Sequence, residues 1–282
     1  MNKCIAFAGL CLALAPVSAA FADPPFKTNA TPGTRHYRYT SIERNPGQPE
    51  ARYRVDFDLV TDAKGDVTAV IRKAESARGE TWTTTTVPAD CKASLHGKGQ
   101  SLATITLAPL SPEAGESLGE PFMSMCAPAS YFFPMTDILN VVLVQTSPSF
   151  HINDLKAVGS SVRFDGFKTK LDRLNTAIVA SSPGGSITLF SLDDHKAVVD
   201  WAPDPMNLAL TVHASGNMPE MTMTGLERYA FRVEIDRSSG ALRRAVTTSD
   251  NLDMIVSVPN LPADKAPHVA ISREVAIETR ED

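Results

Sequence analysis

The most unusual group of side chains that could do chemistry is a short run of methionines. Met218, Met221 and Met223 lie close together, and His213 precedes them. Thioether sulfur is a soft ligand that selects Cu(I), so this group is the candidate for a copper site. Methionine also fills irregular gaps in hydrophobic cores, and Met221 and Met223 would point to the same side of a strand. We therefore expect core packing, with periplasmic copper binding as the alternative.

A second candidate combines carboxylates with imidazole. In Asp193-Asp194-His195, two carboxylates directly precede one imidazole, which could act as a general acid or base. The same composition is common in turns between strands, which is the interpretation that we favour. His151 and Asp154 are spaced to lie on one face of a helical turn. A further alternative is that the protein is an enzyme whose active-site residues are dispersed along the chain. His151 or His195 would then be a catalytic residue.

Motifs of the common catalytic families are absent from the sequence. There is no Gly-x-Ser-x-Gly, Ser-x-x-Lys, His-Glu-x-x-His, P-loop or Gly-x-Gly-x-x-Gly pattern. None of the six histidines is two or four residues from another, so no local pair of metal ligands exists. The sequence therefore favours a binding protein over an enzyme, and we expect no cofactor.

An apolar and aromatic cluster is the candidate ligand site. It leads into the apolar run 134–146, and its members are Phe122, Met125, Tyr131, Phe132, Phe133, Ile138 and Val142. Pro134 and Asp137 favour a helix over 134–146, whereas its valines leave a central strand as the competitor. Such a helix has no broad polar face and must be buried, either as a lid over an apolar ligand or as core. Plugging the end of a sheet is the commoner use of such aromatic residues.

The elements that would position these groups are mostly strands. Between positions 51 and 59, apolar and polar residues alternate, which predicts a half-buried antiparallel strand. A turn at 62–65 and a second alternating run complete a hairpin at 51–73, and residues 229–246 repeat this pattern. Two matching hairpins indicate either an internal duplication or two independent amphipathic hairpins.

Many further short strands follow from the same pattern. They are predicted at 35–43, 80–87, 101–108, 161–168, 171–180, 186–192, 196–201, 206–214, 220–226, 252–258 and 268–279. The fold class is therefore mainly β: an antiparallel curved sheet, sandwich or open barrel, with one helix packed on it. We expect a single β-rich domain over 35–282, or two related halves at 35–130 and 147–282 around a helix at 134–146.

The N-terminal segment predicts export. Lys3 precedes an apolar run that ends near Val17, and Ala20-Phe21-Ala22 has the small-x-small pattern of a signal-peptidase site. Residues 1–22 are therefore predicted to be a signal peptide, cleaved after Ala22, and residues 23–34 a flexible leader. The expected location is periplasmic or secreted, and we expect no transmembrane segment in the mature chain.

The two cysteines outside the signal peptide are Cys91 and Cys126. An even pair in an oxidising compartment predicts a disulfide, worth roughly 4 kcal/mol in the chain-entropy model.

The chain has a formal net charge of −5, whereas proteins that bind nucleic acids usually carry a positively charged surface. No nucleic acid is therefore expected as a partner. Together these features predict an exported, non-catalytic, β-rich binding protein of the cell envelope. Its partner would be a lipid or other apolar small molecule, or an envelope protein.

Overall fold

A single antiparallel sheet of thirteen strands makes up most of the computed structural model. The structure describes residues 26–27, 30–87, 92–95, 106–107, 137–138, 140–142, 151–173, 176–214 and 219–280. The prediction of a mainly β protein is confirmed.

The strands follow one another with few intervening elements. In chain order they are β1 (Gly33–Arg44), β2 (Ala51–Thr61), β3 (Val67–Arg78), β4 (Thr81–Thr85), β5 (Lys92–Leu95), β6 (Thr106–Leu107), β7 (Ser161–Arg173), β8 (Thr176–Leu192), β9 (Lys196–Pro203), β10 (Met206–Val212), β11 (Met221–Asp236), β12 (Leu242–Ser257) and β13 (His268–Thr279). Short 3-10 turns occupy Ile152–Asp154 and Ala263–Lys265. Residues 137, 138 and 140–142 are α-helical and are called the helical segment below.

The sheet is a meander in which the first and last strands meet. From β7 to β13 each strand pairs with its successor, except that β9 and β10 share one position between β8 and β11. The last strand, β13, then pairs with β1, which leads through β2 to β3. Beyond β3 the sheet continues into β4 on one path and into β5 and β6 on another. Strands from both predicted halves thus belong to one sheet.

Both predicted hairpins are present, and aspartates build their turns. Asp62 Oδ1 accepts hydrogen bonds from the backbone N–H groups of Lys64 and Asp66, between β2 and β3. Between β11 and β12, Asp236 Oδ1 accepts bonds from the N–H groups of Ser238 and Ser239. Such Asx turns satisfy the backbone where the chain reverses, which is why aspartate recurs at these positions.

Several strands are longer than the sequence predicted. The expected strands at 161–168 and 171–180 are not separated at 169–170, since β7 runs from 161 to 173 and β8 begins at 176. Likewise 220–226 is the first part of β11 and not a separate strand. The sequence predicted separate strands at 171–180 and 186–192, on either side of Pro183-Gly184-Gly185, whereas this tripeptide lies inside β8.

These glycines allow β7, β8 and β9 to approach closely. A Cβ at Gly185 would lie 2.7 Å from Pro203 Cα and would collide with the Phe164 ring. A Cβ at Gly166 would lie 2.6 Å from the Ser182 carbonyl oxygen. Glycine inside a strand commonly marks such a close backbone approach.

One face of the sheet carries the core, and the helical segment packs on that face. Ile138, Val141 and Val142 are buried in the same hydrophobic cluster as Tyr39 of β1 and Phe231 of β11. The prediction of one helix packed on the sheet is confirmed for these residues. Positions 134–136, 139 and 143–146 of the predicted helix lie outside the described residues.

The segment before β1 also contacts the sheet. Within the range predicted as a flexible leader, Phe26 is buried in the core. The backbone N–H of Thr31 donates to the Ser239 carbonyl, and Gly33 already begins β1. In the part of the chain that the structure describes, no helix has the length and apolar character needed to cross a membrane.

Candidate functional site

The structure describes only part of the predicted ligand site. Ile138 and Val142 are buried in the helical segment, on the core face of the sheet. The remaining aromatic and methionine members lie outside the described residues: Phe122, Met125, Tyr131, Phe132 and Phe133. Cys91 and Cys126 lie outside them as well, so the disulfide stays a prediction.

The described members of the methionine cluster lie in β11 and just after β10. Met221 and Met223 lie at the start of β11 and are half-buried, whereas Met218 is outside the described residues. His213 is exposed just after β10, and its Nδ1 lies 3.2 Å from Glu220 Oε2. Among the described residues, no three or more His, Cys, Asp or Glu side chains are placed to hold a metal ion. Copper binding through methionine sulfur remains a prediction from the sequence.

The Asp193-Asp194-His195 triplet forms the turn that the sequence favoured. Asp193 Oδ1 accepts hydrogen bonds from the backbone N–H groups of His195 and Lys196, both at 2.8 Å. All three residues of the triplet are exposed between β8 and β9. His151 is exposed too, with its Nδ1 3.6 Å from Asp154 Oδ2.

A group of charged side chains beneath the helical segment was not expected from the sequence. Arg273 of β13 lies among three carboxylates, and we call these four residues the buried ionic cluster: Asp137, Glu227, Asp250 and Arg273. Arg273 is only 5% exposed and Asp137 only 2%. Nη2 of Arg273 lies 3.4 Å from Glu227 Oε1 and 2.8 Å from Asp250 Oδ2. The Asp250 contact is an ion pair with the guanidinium that is almost entirely buried.

Asp137 is the centre of the hydrogen bonding in this cluster. Its Oδ2 accepts from Tyr39 Oη at 2.8 Å and from Arg273 Nη1 at 3.2 Å. Its Oδ1 accepts from Tyr229 Oη at 2.9 Å and from Arg273 Nη2 at 3.4 Å. Each carboxylate oxygen therefore takes one phenol and one guanidinium donor. We call these four donors, from Tyr39, Tyr229 and Arg273, the carboxylate cradle.

Strand register brings the cradle together. Arg273 lies opposite Glu43 in the β1–β13 ladder, and Tyr229 lies opposite Asp250 in the β11–β12 ladder. A register shift between Val246 and Asn251 interrupts the β12–β13 pairing just where Asp250 turns toward Arg273. Because side chains on one face recur every second residue, Arg273 shares the core face with Val275 and Ile277.

Burial dominates the electrostatics of these groups. It raises the pKa of Glu227 to about 7 and that of Asp250 to about 8, although Arg273 opposes both shifts. Burial also raises the pKa of Asp137, with Arg273 and the two tyrosine hydroxyls opposing that shift. Burial lowers the pKa of Arg273, but the surrounding acidic groups, Asp137 and Asp250 foremost, together raise it well above its ordinary value. Glu227 and Asp250 therefore retain protons near neutral pH, and the guanidinium pairs mainly with Asp137, whose oxygens accept four hydrogen bonds.

The sequence did carry a signal for part of this cluster. Glu227 and Arg273 occupy positions in phase with the buried faces of β11 and β13. A charged residue on an otherwise apolar face must find a partner or remain neutral, so each was a candidate for a buried ionic contact. Nothing in the sequence indicated that Asp137 would be the partner, because the pairing spans 136 positions.

Comparison with known proteins adds no relative. No family model matches the chain, and no curated protein matches it significantly. The cradle binds the carboxylate of Asp137, and the apolar face beside it packs against Ile138, Val141 and Val142.

Proposed function

We propose that this protein is an exported, non-catalytic binding protein of the cell envelope. Its ligand would be a lipid or another apolar small molecule, held on the core face of the sheet. The helical segment would act as the cover of that site. The signal-peptide pattern of residues 1–22 supports the export part of this proposal.

The observation that carries the proposal is how the helical segment is attached. Its apolar side chains, Ile138, Val141 and Val142, rest on the hydrophobic face of the sheet. Its one charged side chain in the described part, Asp137, is held by donors that all belong to the sheet. We call this arrangement, with the helical segment on the sheet, the closed state. The donors on the sheet could bind another acceptor in place of Asp137, which would let the segment leave the sheet.

The face beneath the segment suits an apolar ligand. A row of aromatic rings crosses it, in which Trp201 packs edge-on against Tyr229 at 5.5 Å and Tyr229 against Phe231 at 4.9 Å. Phe164 stacks on Trp201 at 6.4 Å. Ligand sites in proteins are typically lined by apolar and aromatic side chains with a few polar groups that fix orientation. The aromatic row and the cradle supply these two components.

A binding role fits the buried carboxyls better than catalysis does. Glu227 and Asp250 have the raised pKa values that general acids use. Both are nevertheless buried with Arg273 beneath the helical segment, away from the water or substrate that a general acid must reach. In their neutral forms they would leave the Arg273 guanidinium as the main charge of the site.

Two measurements test this function. Native mass spectrometry of protein purified from its own compartment should show a retained lipid or other apolar molecule. Hydrogen exchange on the ligand-free protein should show residues 137–142 opening more readily than β2 and β11, because lids belong to the least stable parts of a fold. Protection of the helical segment equal to that of these strands, with no retained apolar molecule, would contradict the proposal.

A further inference from the structure

We infer that the ligand is a long-chain carboxylic acid whose head group occupies the carboxylate cradle in place of Asp137. This inference rests on the proposed function and adds the chemical class of the ligand. In the closed protein, Asp137 would act as an internal substitute for the ligand's carboxylate. Opening of the helical segment would exchange one carboxylate for the other.

The donor arrangement matches a carboxylate specifically. Two donors meet each oxygen of Asp137: Tyr39 and one guanidinium nitrogen at Oδ2, and Tyr229 and the other nitrogen at Oδ1. The planar fork of arginine is complementary to two coplanar oxygens, which a carboxylate has. A phosphate would present a third oxygen, for which this set of four donors has no position.

The two partners come from different parts of the fold. Every donor lies on the sheet, on β1, β11 and β13, whereas the acceptor belongs to the helical segment. Movement of that segment would remove Asp137 and leave all four donors in place. Arg273 Nη2 would keep its contacts with Glu227 and Asp250, but both tyrosine hydroxyls and Nη1 would lose Asp137 as their acceptor. Buried donors that lose an acceptor are costly, so an incoming carboxylate would be bound strongly.

The residues that follow Asp137 resemble the hydrocarbon chain of a fatty acid, as Asp137 itself resembles its carboxylate. Ile138, Val141 and Val142 follow the carboxylate along the helical segment and are buried against the apolar face. An acyl chain attached to a carboxylate in the cradle would cover the same hydrophobic surface. The helical segment and the proposed ligand therefore share one pattern, a single acid group followed by hydrocarbon.

The charges around the cradle are compatible with an anion. The titratable groups that face Arg273 are Asp137 on the helical segment, Tyr39 and Glu43 on β1, Glu227 and Tyr229 on β11, and Asp250 on β12. Burial raises the pKa of Glu227 to about 7 and that of Asp250 to about 8, so these two carboxyls retain protons near neutral pH, and burial also raises the pKa of Glu43. The guanidinium charge then remains available to the head group of the ligand.

Matched probes test the inference on the full mature chain. Hexadecanoic acid, hexadecan-1-ol and hexadecyl phosphate would each compete with a neutral fluorescent apolar dye for the delipidated protein. We expect the acid to bind at least tenfold more tightly than the alcohol and the phosphate. Tyr39→Phe or Tyr229→Phe should weaken the acid about tenfold, the effect of losing one hydrogen bond to a charged group, and change the alcohol less than twofold.

Two further variants sharpen the test. Asp137→Asn weakens the internal competitor and should tighten binding of the acid at least fivefold, with a smaller effect on the alcohol. Tyr37→Phe is the matched control, because its hydroxyl donates to the Leu242 carbonyl outside the cradle. It should leave the ratio of acid to alcohol affinity unchanged. If Asp137→Asn fails to fold, the tyrosine variants and the three probes still decide the question.

The outcomes separate the inference from the function on which it rests. Equal binding of acid and alcohol, unaffected by Tyr39→Phe, would overturn the carboxylate cradle and leave an apolar binding protein. If hexadecyl phosphate binds as tightly as hexadecanoic acid, the inference that the ligand is a carboxylic acid is wrong. If no probe binds, the proposed function fails together with the inference.

Discussion

Glu43 of β1 and Arg273 of β13 are direct register partners, so the first and last strands of the sheet meet at the buried ionic cluster. The pKa of Glu43 is raised by burial, with Arg273 opposing that shift. The guanidinium thus neutralises charge from four directions: β1, β11, β12 and the helical segment. The stability of the whole sheet centre should depend on this one cation.

Replacing Arg273 by methionine should destabilise the protein by about 3–5 kcal/mol, because the Asp137 carboxylate would stay buried without its cation. Urea unfolding at pH 7 measures this loss. Arg244→Met is the control, since Arg244 pairs with Glu278 on the exposed side at 2.7 Å. Exposed pairs contribute less than about 1 kcal/mol. Equal, small losses in both variants would contradict a structural role for the cluster.

Stability should fall as the pH rises from about 4.5 toward 8. Glu227 and Asp250 ionise at low pH in the unfolded chain, whereas burial in the folded state raises their pKa to about 7 and about 8. The stabilisation from a raised pKa is complete below the unfolded pKa and is lost as the pH approaches the folded one. Between its unfolded and folded pKa values, each group lowers the free energy of unfolding by up to about 1.4 kcal/mol per pH unit.

Urea midpoints at pH 5 and pH 8 check this expectation. The wild type should be more stable at pH 5, and Glu227→Gln should reduce the difference because the amide does not ionise. Glu278→Gln, at an exposed position, should leave the difference as it is. Asp236, whose turn hydrogen bonds lower its pKa, acts only below about pH 4 and outside this window. A midpoint that rises between pH 5 and pH 8 would show that the sign is wrong.

Gly185→Ala should cost about 1–3 kcal/mol, the usual penalty for overpacking. The new methyl group would meet both the Phe164 ring and the backbone of Pro203. Thermal or urea unfolding measures the loss, with Ser186→Ala on the neighbouring residue as the control, expected within about 0.5 kcal/mol of wild type. Equal stability of the two variants would argue against a close approach of β7, β8 and β9.

The Cys91–Cys126 disulfide can be tested by thiol labelling. Unfolded, unreduced protein from the exported pool should react with no alkylating reagent, and reduction should release two thiols per mature chain. Reaction of two thiols before reduction would rule out the bond.

Cleavage of the signal peptide predicts a mature chain that begins at Asp23. N-terminal sequencing of the exported protein should read Asp-Pro-Pro-Phe. An exported chain that still begins at Met1, or one that begins at Cys11, would disprove this cleavage site and weaken the assignment to the envelope.

Local patterns predicted the strands well, because alternation and turn chemistry are properties of neighbouring residues. The strand from 268 to 279 and the Asp62 and Asp236 turns lie where the sequence placed them. The strand ends near Gly166 and Gly184 were harder to predict, because a glycine can either end a strand or allow two strands to approach closely.

The site could be predicted only in part, because its geometry depends on residues far apart in sequence. The helix and the burial of Ile138 and Val142 followed from composition. The partnership of Asp137 with Arg273, Tyr39 and Tyr229 requires three strands of the sheet and the helical segment to meet. Alternation alone fixes the face on which each residue lies, and it does not fix which strands become neighbours.

The pairing of β1 with β13 also determines how the protein can fold. Residues 33–44 complete their ladder only with residues 268–279, so the middle of the sheet has a high contact order. Chains dominated by such distant contacts fold slowly, because loop closure must precede the pairing. A nascent chain would therefore remain without its central ladder until residues 268–279 have been synthesised, so the two halves of this ladder must find each other late.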